Sequence, residues 1–398
     1  MKFQKKKLKN GLTVLHEFRD LPLVSVSITN PFGAAFEKSE EKGIAHFIEH
    51  LVFTGTKTRT HEDISREIEK KGGILNAFTA HEVTSFWFKL PSEHIFSGLE
   101  ILADLLNNPI FEKTKFEKEK RVILEEIKLY KDNPQHAVFE QIVKSLFEKP
   151  FGELVIGNKE TISSMKRDFV FDYFKKNYSP ENFIVTIVGN TDLNKVCEYL
   201  EKTFSPENHS PKIQKIKIKN TLTTEERPGI DQANFLFAAH APLFYSKEYP
   251  ALEILNAYLA EGMSSKLFLE IREKRGLAYT VKGSLNTEKN YSYYSIYVGT
   301  TKEALPEVKN LIIEGFQDIS KMTEKELKET KEQLIGSRKV ESEESSGVMN
   351  ALMFHELNGD AEEYYNFEKK ISQVSLGQVK SLAENLIKNY STAAIVPK

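Results

Sequence analysis

The amino-acid sequence predicts an α+β fold of two domains, and three observations support this. The 398 residues are enough for two or three domains with a sizeable core. Short apolar runs typical of strands occur beside longer runs with helical periodicity. The order of these runs in the first half recurs in the second half, after a polar segment with two prolines at 205–211. We therefore place one domain at 1–204, a linker at 205–220 and a second domain at 221–398.

In the first half, Asn10-Gly11 lies between two alternating runs and predicts a hairpin turn. Apolar runs of strand length predict three further strands, at 23–28, 86–90 and 183–188. Helical periodicity predicts five helices, at 44–53, 61–71, 94–106, 116–130 and 137–147.

The second half repeats this order with few shared residues. Its predicted strands are 213–218, 233–239, 291–298 and 392–396. Its predicted helices are 249–259, 310–319 and 324–338, with the end of another at 272–278. Helix 249–259 takes the place that helix 44–53 has in the first half.

Composition excludes several classes of protein. Lysine and arginine total 55 against 57 acidic residues, which does not favour a nucleic-acid partner. The one cysteine, Cys197, allows neither an intramolecular disulfide nor a cysteine-held metal. No run approaches the roughly 18 apolar residues of a membrane span. The basic N-terminus is followed by no apolar segment, so we expect no secretory signal and a cytoplasmic prokaryotic protein, or a mature form.

The most informative motif is His46-Phe47-Ile48-Glu49-His50. On a helix, His46, Glu49 and His50 share one face. Two histidines at this spacing can hold one zinc ion, with the glutamate beside the water on that metal. Histidines in an apolar helix are more often hydrogen-bonded core residues, so both interpretations stand on these residues alone. Burying all three side chains is costly unless they are paired or bind a metal.

Helix 116–130 offers a third ligand. Glu119 and Glu126 fall within its apolar stripe, whereas Glu117 and Glu125 point away and are expected to be solvated. Two carboxylates on a core-facing stripe need a partner, and a histidine-bound zinc ion is one. Glu126 would then be the ligand, and Glu119 would lie outside the ligand set and fix the orientation of a metal ligand.

Together these residues resemble the pitrilysin/insulinase family of zinc metallopeptidases. That family combines H-x-x-E-H with a glutamate ligand roughly seventy-five residues later, and here Glu126 follows His50 by 76 positions. Segment 72–79 resembles the family's substrate-edge strand, and 272–279 resembles its arginine–tyrosine pair. The short branch that includes the mitochondrial processing peptidase and its prokaryotic relatives is most similar.

The resemblance implies two homologous α/β sandwich domains, each a mostly antiparallel sheet packed with helices. The second copy contains Leu252-Glu253-Ile254-Leu255-Asn256 and no H-x-x-E-H, so one Zn²⁺ per chain is expected. The ligand types also permit cobalt or manganese.

For the reaction, the resemblance implies hydrolysis of peptides or unfolded segments inside a closed chamber. Glu49 would act as general base on zinc-bound water. Phe53 would line the pocket just past the scissile bond. Asn76, Ala77 and Phe78 would present an edge strand to an extended substrate. Alternatively, Asn76 is a turn residue and Phe78 an ordinary strand aromatic.

Arg272 and Tyr279 would assist the substrate or the developing oxyanion. In long single-chain relatives, this pair comes from the second half of the polypeptide. Here a second chain would have to supply it, so we expect a homodimer in which Arg272 and Tyr279 complete the partner's site. A heterodimer with a zinc-less paralogue is the alternative.

One position departs from the processing peptidases. They carry two acidic residues ten and fourteen positions past the ligand glutamate, where a basic substrate residue binds. His136 and Glu140 occupy these positions here, so only Glu140 could serve. A broader peptidase fits this as well as a presequence-processing enzyme.

Two other functions remain open from the sequence. Core subunits of respiratory cytochrome bc complexes resemble the family but have usually lost ligands, so a non-catalytic scaffold is one. A structural zinc site is the other, although three visible ligands with a base beside them favour a catalytic site.

Overall fold

The computed structural model describes residues 2–206, 209 and 211–398. Part of the expected linker, at Glu207, Asn208 and Ser210, lies outside the described residues. The chain forms two compact units. Unit 1 runs to Ile127 and includes Leu154–Lys215 and Glu341–Tyr364; unit 2 comprises Lys128–Glu153, Ile216–Val340 and Tyr365–Lys398.

The elements are numbered in chain order. The strands are β1 (Lys2–Lys7), β2 (Thr13–Phe18), β3 (Leu23–Asn30), β4 (Ile74–Thr79), β5 (Thr84–Pro91), β6 (Ile184–Gly189), β7 (Leu222–Arg227), β8 (Ala233–His240), β9 (Ala278–Thr287), β10 (Ser292–Thr300) and β11 (Tyr390–Pro397). The helices are α1 (Ile44–Val52), α2 (His61–Glu69), α3 (Ile95–Asn107), α4 (Lys113–Asp132), α5 (Pro134–Leu146), α6 (Lys159–Ser164), α7 (Arg167–Asn177), α8 (Leu193–Thr203), α9 (Tyr249–Ala260), α10 (Leu305–Asp318), α11 (Glu324–Glu341), α12 (Ser345–Asn358), α13 (Phe367–Gln373) and α14 (Leu376–Leu386). A π-helical turn spans Phe268–Lys274.

The sheet of unit 1 has the order β1-β2-β6-β3-β5-β4, and β4 lies at one edge. Its strands pair antiparallel except for β2 with β6. Val24, Val26 and Ile28 of β3 face the main core, and α1 packs over β4 and β5. The alternate residues of β3 are small, polar and also buried, which leaves that face for α12.

The sheet of unit 2 has the order β7-β11-β8-β10-β9, with one parallel pair, β7 with β11. Without β1, the first sheet has the same connectivity, so β9 corresponds to β4 and α9 to α1. The fold is therefore two α/β sandwiches with mostly antiparallel sheets, as the sequence indicates.

The two units exchange one helix each. Helix α5 comes early in the chain but belongs to unit 2, where it packs on β11 and β8. Helix α12 comes late but belongs to unit 1, where it packs on β6 and β3. The expected domains, 1–204 and 221–398, follow chain order and do not contain this exchange.

One predicted strand is wrong. Segment 213–218 forms no strand, because Gln214 donates its backbone N–H to Ala35 O at 2.9 Å. Ile218 makes an isolated bridge with Phe147, and the strand begins at Leu222. Among the described residues, no helix combines the length and apolar character needed to cross a membrane.

Candidate metal centre

Helix α1 begins at a tightly packed glycine. Gly43 has φ +92°, and a Cβ there would lie 2.7 Å from Ile156 O. The carboxylate of Glu37 accepts hydrogen bonds from the backbone N–H of Gly43 at 3.1 Å and of Ala45 at 2.8 Å. Lys42 Nζ lies 3.7 Å from that carboxylate. Glu37 therefore fixes the start of the motif helix, a role that no local sequence pattern indicated.

Three side chains from α1 and α4 meet at one point. Glu126 Oε2 lies 3.7 Å from His46 Nε2 and 3.6 Å from His50 Nε2. A tetrahedral zinc ion with bonds of about 2.0–2.2 Å holds its ligand atoms roughly 3.4 Å apart. The two histidine-to-glutamate distances are close to that value, and all three ligand atoms lie within 4.8 Å of one another. In the part of the chain that the structure describes, these three residues form the group suited to hold a metal.

Glu119 lies behind His50. Its Oε2 accepts a hydrogen bond from His50 Nδ1 at 3.3 Å, which leaves Nε2 directed at Glu126. Such a carboxylate fixes both the tautomer and the ring orientation of a ligating histidine. The structure thus brings together all four residues that the sequence assigned to the metal and its support.

Without a metal, the two histidines have very different pKa values. Burial is the largest influence on His50 and disfavours its charge, but hydrogen bonds and charges from Glu119 and Glu126 outweigh it and raise the pKa to about 9. Burial and the neighbouring His50 lower the pKa of His46 to about 4. A metal would therefore compete with a proton at His50 but not at His46.

Glu49 projects from the same helix beside the ligands. Thr79 Oγ1, at the end of β4, donates a 2.5 Å hydrogen bond to Glu49 Oε2. Burial raises the pKa of Glu49 above its ordinary value. A positioned carboxyl group with a raised pKa suits proton transfer in both directions. Thr79 was not identified from sequence, because its role depends on packing between α1 and β4.

A cleft of about 410 Å³ opens beside the centre. It is lined by Glu49, His50, Phe53, Thr54, His61, Asn76, Lys115, Lys118 and Glu119. Of the residues expected to contact substrate, Phe53 and Asn76 lie in this lining. Ala77 and Phe78 follow on β4, the edge strand, which pairs with β5 on one side.

The loop after α1 forms one wall of the cleft, and Asp104 of α3 holds it. Asp104 Oδ2 accepts hydrogen bonds from Thr56 Oγ1 at 2.5 Å, Thr58 Oγ1 at 2.7 Å and Arg59 NH1 at 3.1 Å. Burial raises the pKa of Asp104, but these hydrogen bonds outweigh it and the net shift is downward. No local sequence pattern identifies Asp104, because its partners lie in a separate segment.

Arg272 and Tyr279 lie together in unit 2, whereas the three potential ligands lie in unit 1. The Arg272 guanidinium stacks 5.1 Å from the ring centroid of Tyr279 and 4.8 Å from that of Phe268. Tyr279 is 76% exposed. Glu140 is half-buried on α5, and burial raises its pKa.

The sequence matches two family models. Residues 14–159 match the one described as Insulinase (Peptidase family M16). Residues 164–334 match the one described as Peptidase M16 inactive domain.

Curated relatives and solved structures are also similar. A protein of Rickettsia felis named "uncharacterized zinc protease" is 33% identical over 330 residues, covering 81% of this chain and 79% of its own. The zinc protease YmxG of Bacillus subtilis, also named uncharacterized, is 29% identical over 98% of this chain and 97% of its own. A protease structure from Helicobacter pylori has a TM-score of 0.92 at 21% identity, covering 100% of this chain and 99% of that one. At that identity, the likeness shows the fold alone.

Proposed function

The chain belongs to the insulinase family of peptidases, M16, and from that membership we propose that it is a zinc-dependent endopeptidase acting on peptides or unfolded segments. The proposal depends chiefly on one observation: Glu126 Oε2 lies 3.7 Å from His46 Nε2 and 3.6 Å from His50 Nε2. The carboxylate of Glu49 on the same helix supplies a base beside them.

Zinc bound there would lower the pKa of water and polarise the scissile carbonyl. Glu49 takes a proton from the attacking water as the new carbon–oxygen bond forms. It returns that proton to the leaving nitrogen as the carbon–nitrogen bond breaks. The hydrogen bond from Thr79 holds one oxygen of Glu49 and leaves the other to carry the proton.

An extended substrate would add to the outer edge of β4. Asn76, Ala77 and Phe78 lie on this strand, and backbone pairing along its edge would give affinity with little demand on substrate sequence. Phe53, at the end of α1, would contact the side chain that enters the cleft.

Arg272 and Tyr279 would complete the site of a second copy. The exposure of Tyr279 and the stacking of Arg272 on its ring support a preformed pair that awaits a partner. Mixing two variants that should each have reduced turnover, Glu49→Gln and Tyr279→Phe, tests this. Random pairing would restore roughly a quarter of the wild-type activity, since one site in four then contains both residues intact. No recovery after subunit exchange would contradict action in trans.

Cleavage of a quenched-fluorescent peptide library tests the peptidase itself. Wild type and Glu49→Gln should each bind about one zinc per chain, and only wild type should cleave. Metal content is measured on the same samples. If neither cleaves while both bind zinc, the proposal that this chain is a peptidase without another subunit fails.

That last outcome would favour the alternative, a non-catalytic scaffold or one half of a heterodimeric peptidase. The match of residues 164–334 to the inactive-domain model is compatible with either role. Retention of the three ligand residues together with Glu49 and Glu119 weighs against a scaffold.

A further inference from the structure

The cleft beside the candidate metal centre carries cationic side chains that the proposed reaction does not use. Lys115 and Lys118 of α4 both line it. We propose that the substrate residue entering this cleft carries a carboxylate, and that Lys118 selects it. This inference rests on the proposed peptidase function and adds the substrate class.

The carboxylates in the same lining already have partners. Glu119 accepts a hydrogen bond from His50 Nδ1 at 3.3 Å, and Glu49 accepts one from Thr79 at 2.5 Å. Neither lies within ion-pair distance of Lys118. In the cleft lining, the carboxylates therefore contact groups of the metal centre, whereas the two lysines do not.

Lys115 is partly committed to structure. Its Nζ donates a 2.5 Å hydrogen bond to Thr54 O, and its charge faces Glu112 near the start of the helix. An ammonium group has three donors, so Lys115 can still contribute one to a ligand. Its main role is to hold the loop after α1 in place.

Lys118 has no such commitment. It is exposed, and across residues 2–206, 209 and 211–398 no carboxylate lies within 4.0 Å of its ammonium group. Glu117 beside it pairs with Lys120 instead, at 3.3 Å. One turn away on either side of Lys118 stand Lys115 and Arg121, so this face of α4 is locally positive.

The cleft also suits the apolar part of an acidic side chain. Phe53 lines it and provides an apolar surface against which methylene groups can pack. A volume of about 410 Å³ accommodates such a side chain together with part of its backbone. Glutamate or aspartate would thus bury its stem on Phe53 and direct its carboxylate to Lys118.

Peptides that carry Glu, Gln or Lys in turn at each position around the cut site test the inference. For wild type, kcat/KM should be about two- to fivefold higher with Glu than with Gln at one position, the size expected for an exposed ion pair. Lys118→Ala should abolish this preference, and Lys118→Glu should reverse it in favour of Lys.

Lys113→Glu is the matched control. Lys113 is an exposed lysine on the same helix that does not line the cleft. Lys113→Glu therefore changes the charge by the same amount and should leave the preference for acidic peptides unchanged. Binding of the uncleaved peptides to a Glu49→Gln background, followed by fluorescence anisotropy, gives a second readout. The acidic peptide should bind more tightly there, and less so at high salt.

The outcomes separate the two proposals. Cleavage without an acidic preference, or a preference unchanged in Lys118→Glu, overturns the inference and leaves the peptidase intact. Failure of wild type to cleave any peptide overturns the peptidase and the inference together.

Discussion

Replacing Glu119 by glutamine should weaken metal binding without removing a ligand. Glu119 contacts the far nitrogen of His50, where its carboxylate accepts the Nδ1 hydrogen at 3.3 Å. Glutamine keeps the shape but offers a neutral amide that binds this hydrogen less strongly and can turn its NH₂ toward the ring. His50 then loses basicity at Nε2 and is less firmly oriented toward Glu126.

The size of the effect follows from the geometry. Carboxylates behind metal-bound histidines typically contribute ten- to a hundredfold in affinity. The 3.3 Å contact is long, and the side chains of His50 and Glu119 are 24% and 20% exposed, so we expect about the lower value, or roughly 1.4 kcal/mol. Near neutral pH, a second effect opposes this loss of zinc affinity. Glu119 also raises the pKa of His50, so its removal lessens competition from the proton. The loss should therefore be smaller at pH 7 and approach tenfold at about pH 9 and above.

Competition with a chromogenic zinc chelator, at several pH values, measures this loss. Glu117→Gln is the control, because Glu117 lies two residues away on the same helix, is exposed, and pairs with Lys120. Equal zinc affinity of wild type and Glu119→Gln at pH 9 would refute the proposed role of Glu119. An equal loss in Glu117→Gln would attribute the effect to helix charge instead.

Three further predictions concern the centre and its supports. Zinc affinity of the wild type should rise about tenfold per pH unit from about 7 to 9 and level off above, because His50 with a pKa of about 9 must release its proton; calorimetry in two buffers should detect that proton. Glu37→Ala removes the acceptor of two backbone N–H groups and the carboxyl group 3.7 Å from the buried Lys42 ammonium, so urea titration should show a loss of about 2–4 kcal/mol in the free energy of unfolding. Asp104→Asn should cost about 1–3 kcal/mol by weakening the bonds from the loop after α1. Since the folded-state pKa of Asp104 is lowered, that difference should be full above about pH 5 and shrink as pH falls through the folded pKa; no change with pH would contradict the charge of Asp104 as the cause.

The parts of the centre that could be predicted are those governed by helical periodicity. His46, Glu49 and His50 share a face because of their spacing within α1, and Glu119 and Glu126 share one because seven residues make almost two turns. Thr79 and Glu37 could not be found in this way. Each acts on α1 from a separate segment, and only packing brings it there.

The same limit applies to the fold. Periodicity located eight helices and most strands within a few residues, but it missed α6–α8, α12–α14, β7 and β9. It also does not indicate which sheet a helix covers. The sequence predicts helix α5 as part of the first half and does not predict α12, and the structure places each in the other unit. Segment 213–218 alternates like a strand, but its backbone bonds to the loop at Ala35 instead of a sheet.

The two units treat a buried acid differently. Helix α9 holds the place of α1, and it too carries an acid that loses water on folding, Glu253. Burial raises the pKa of Glu253 to about 8, while the charges of Arg338 and Lys370 oppose that rise. In unit 2, the charges of protein cations thus act on the acid of α9. In unit 1, Glu126 of α4 faces two histidine nitrogens instead. A proton on His50 supplies one positive charge there, and a divalent ion could supply two. The same architecture can thus neutralise a buried acid with protein cations, as in unit 2, or place it beside groups that could hold a metal, as in unit 1, where the further carboxylate of Glu49 lines an open cleft.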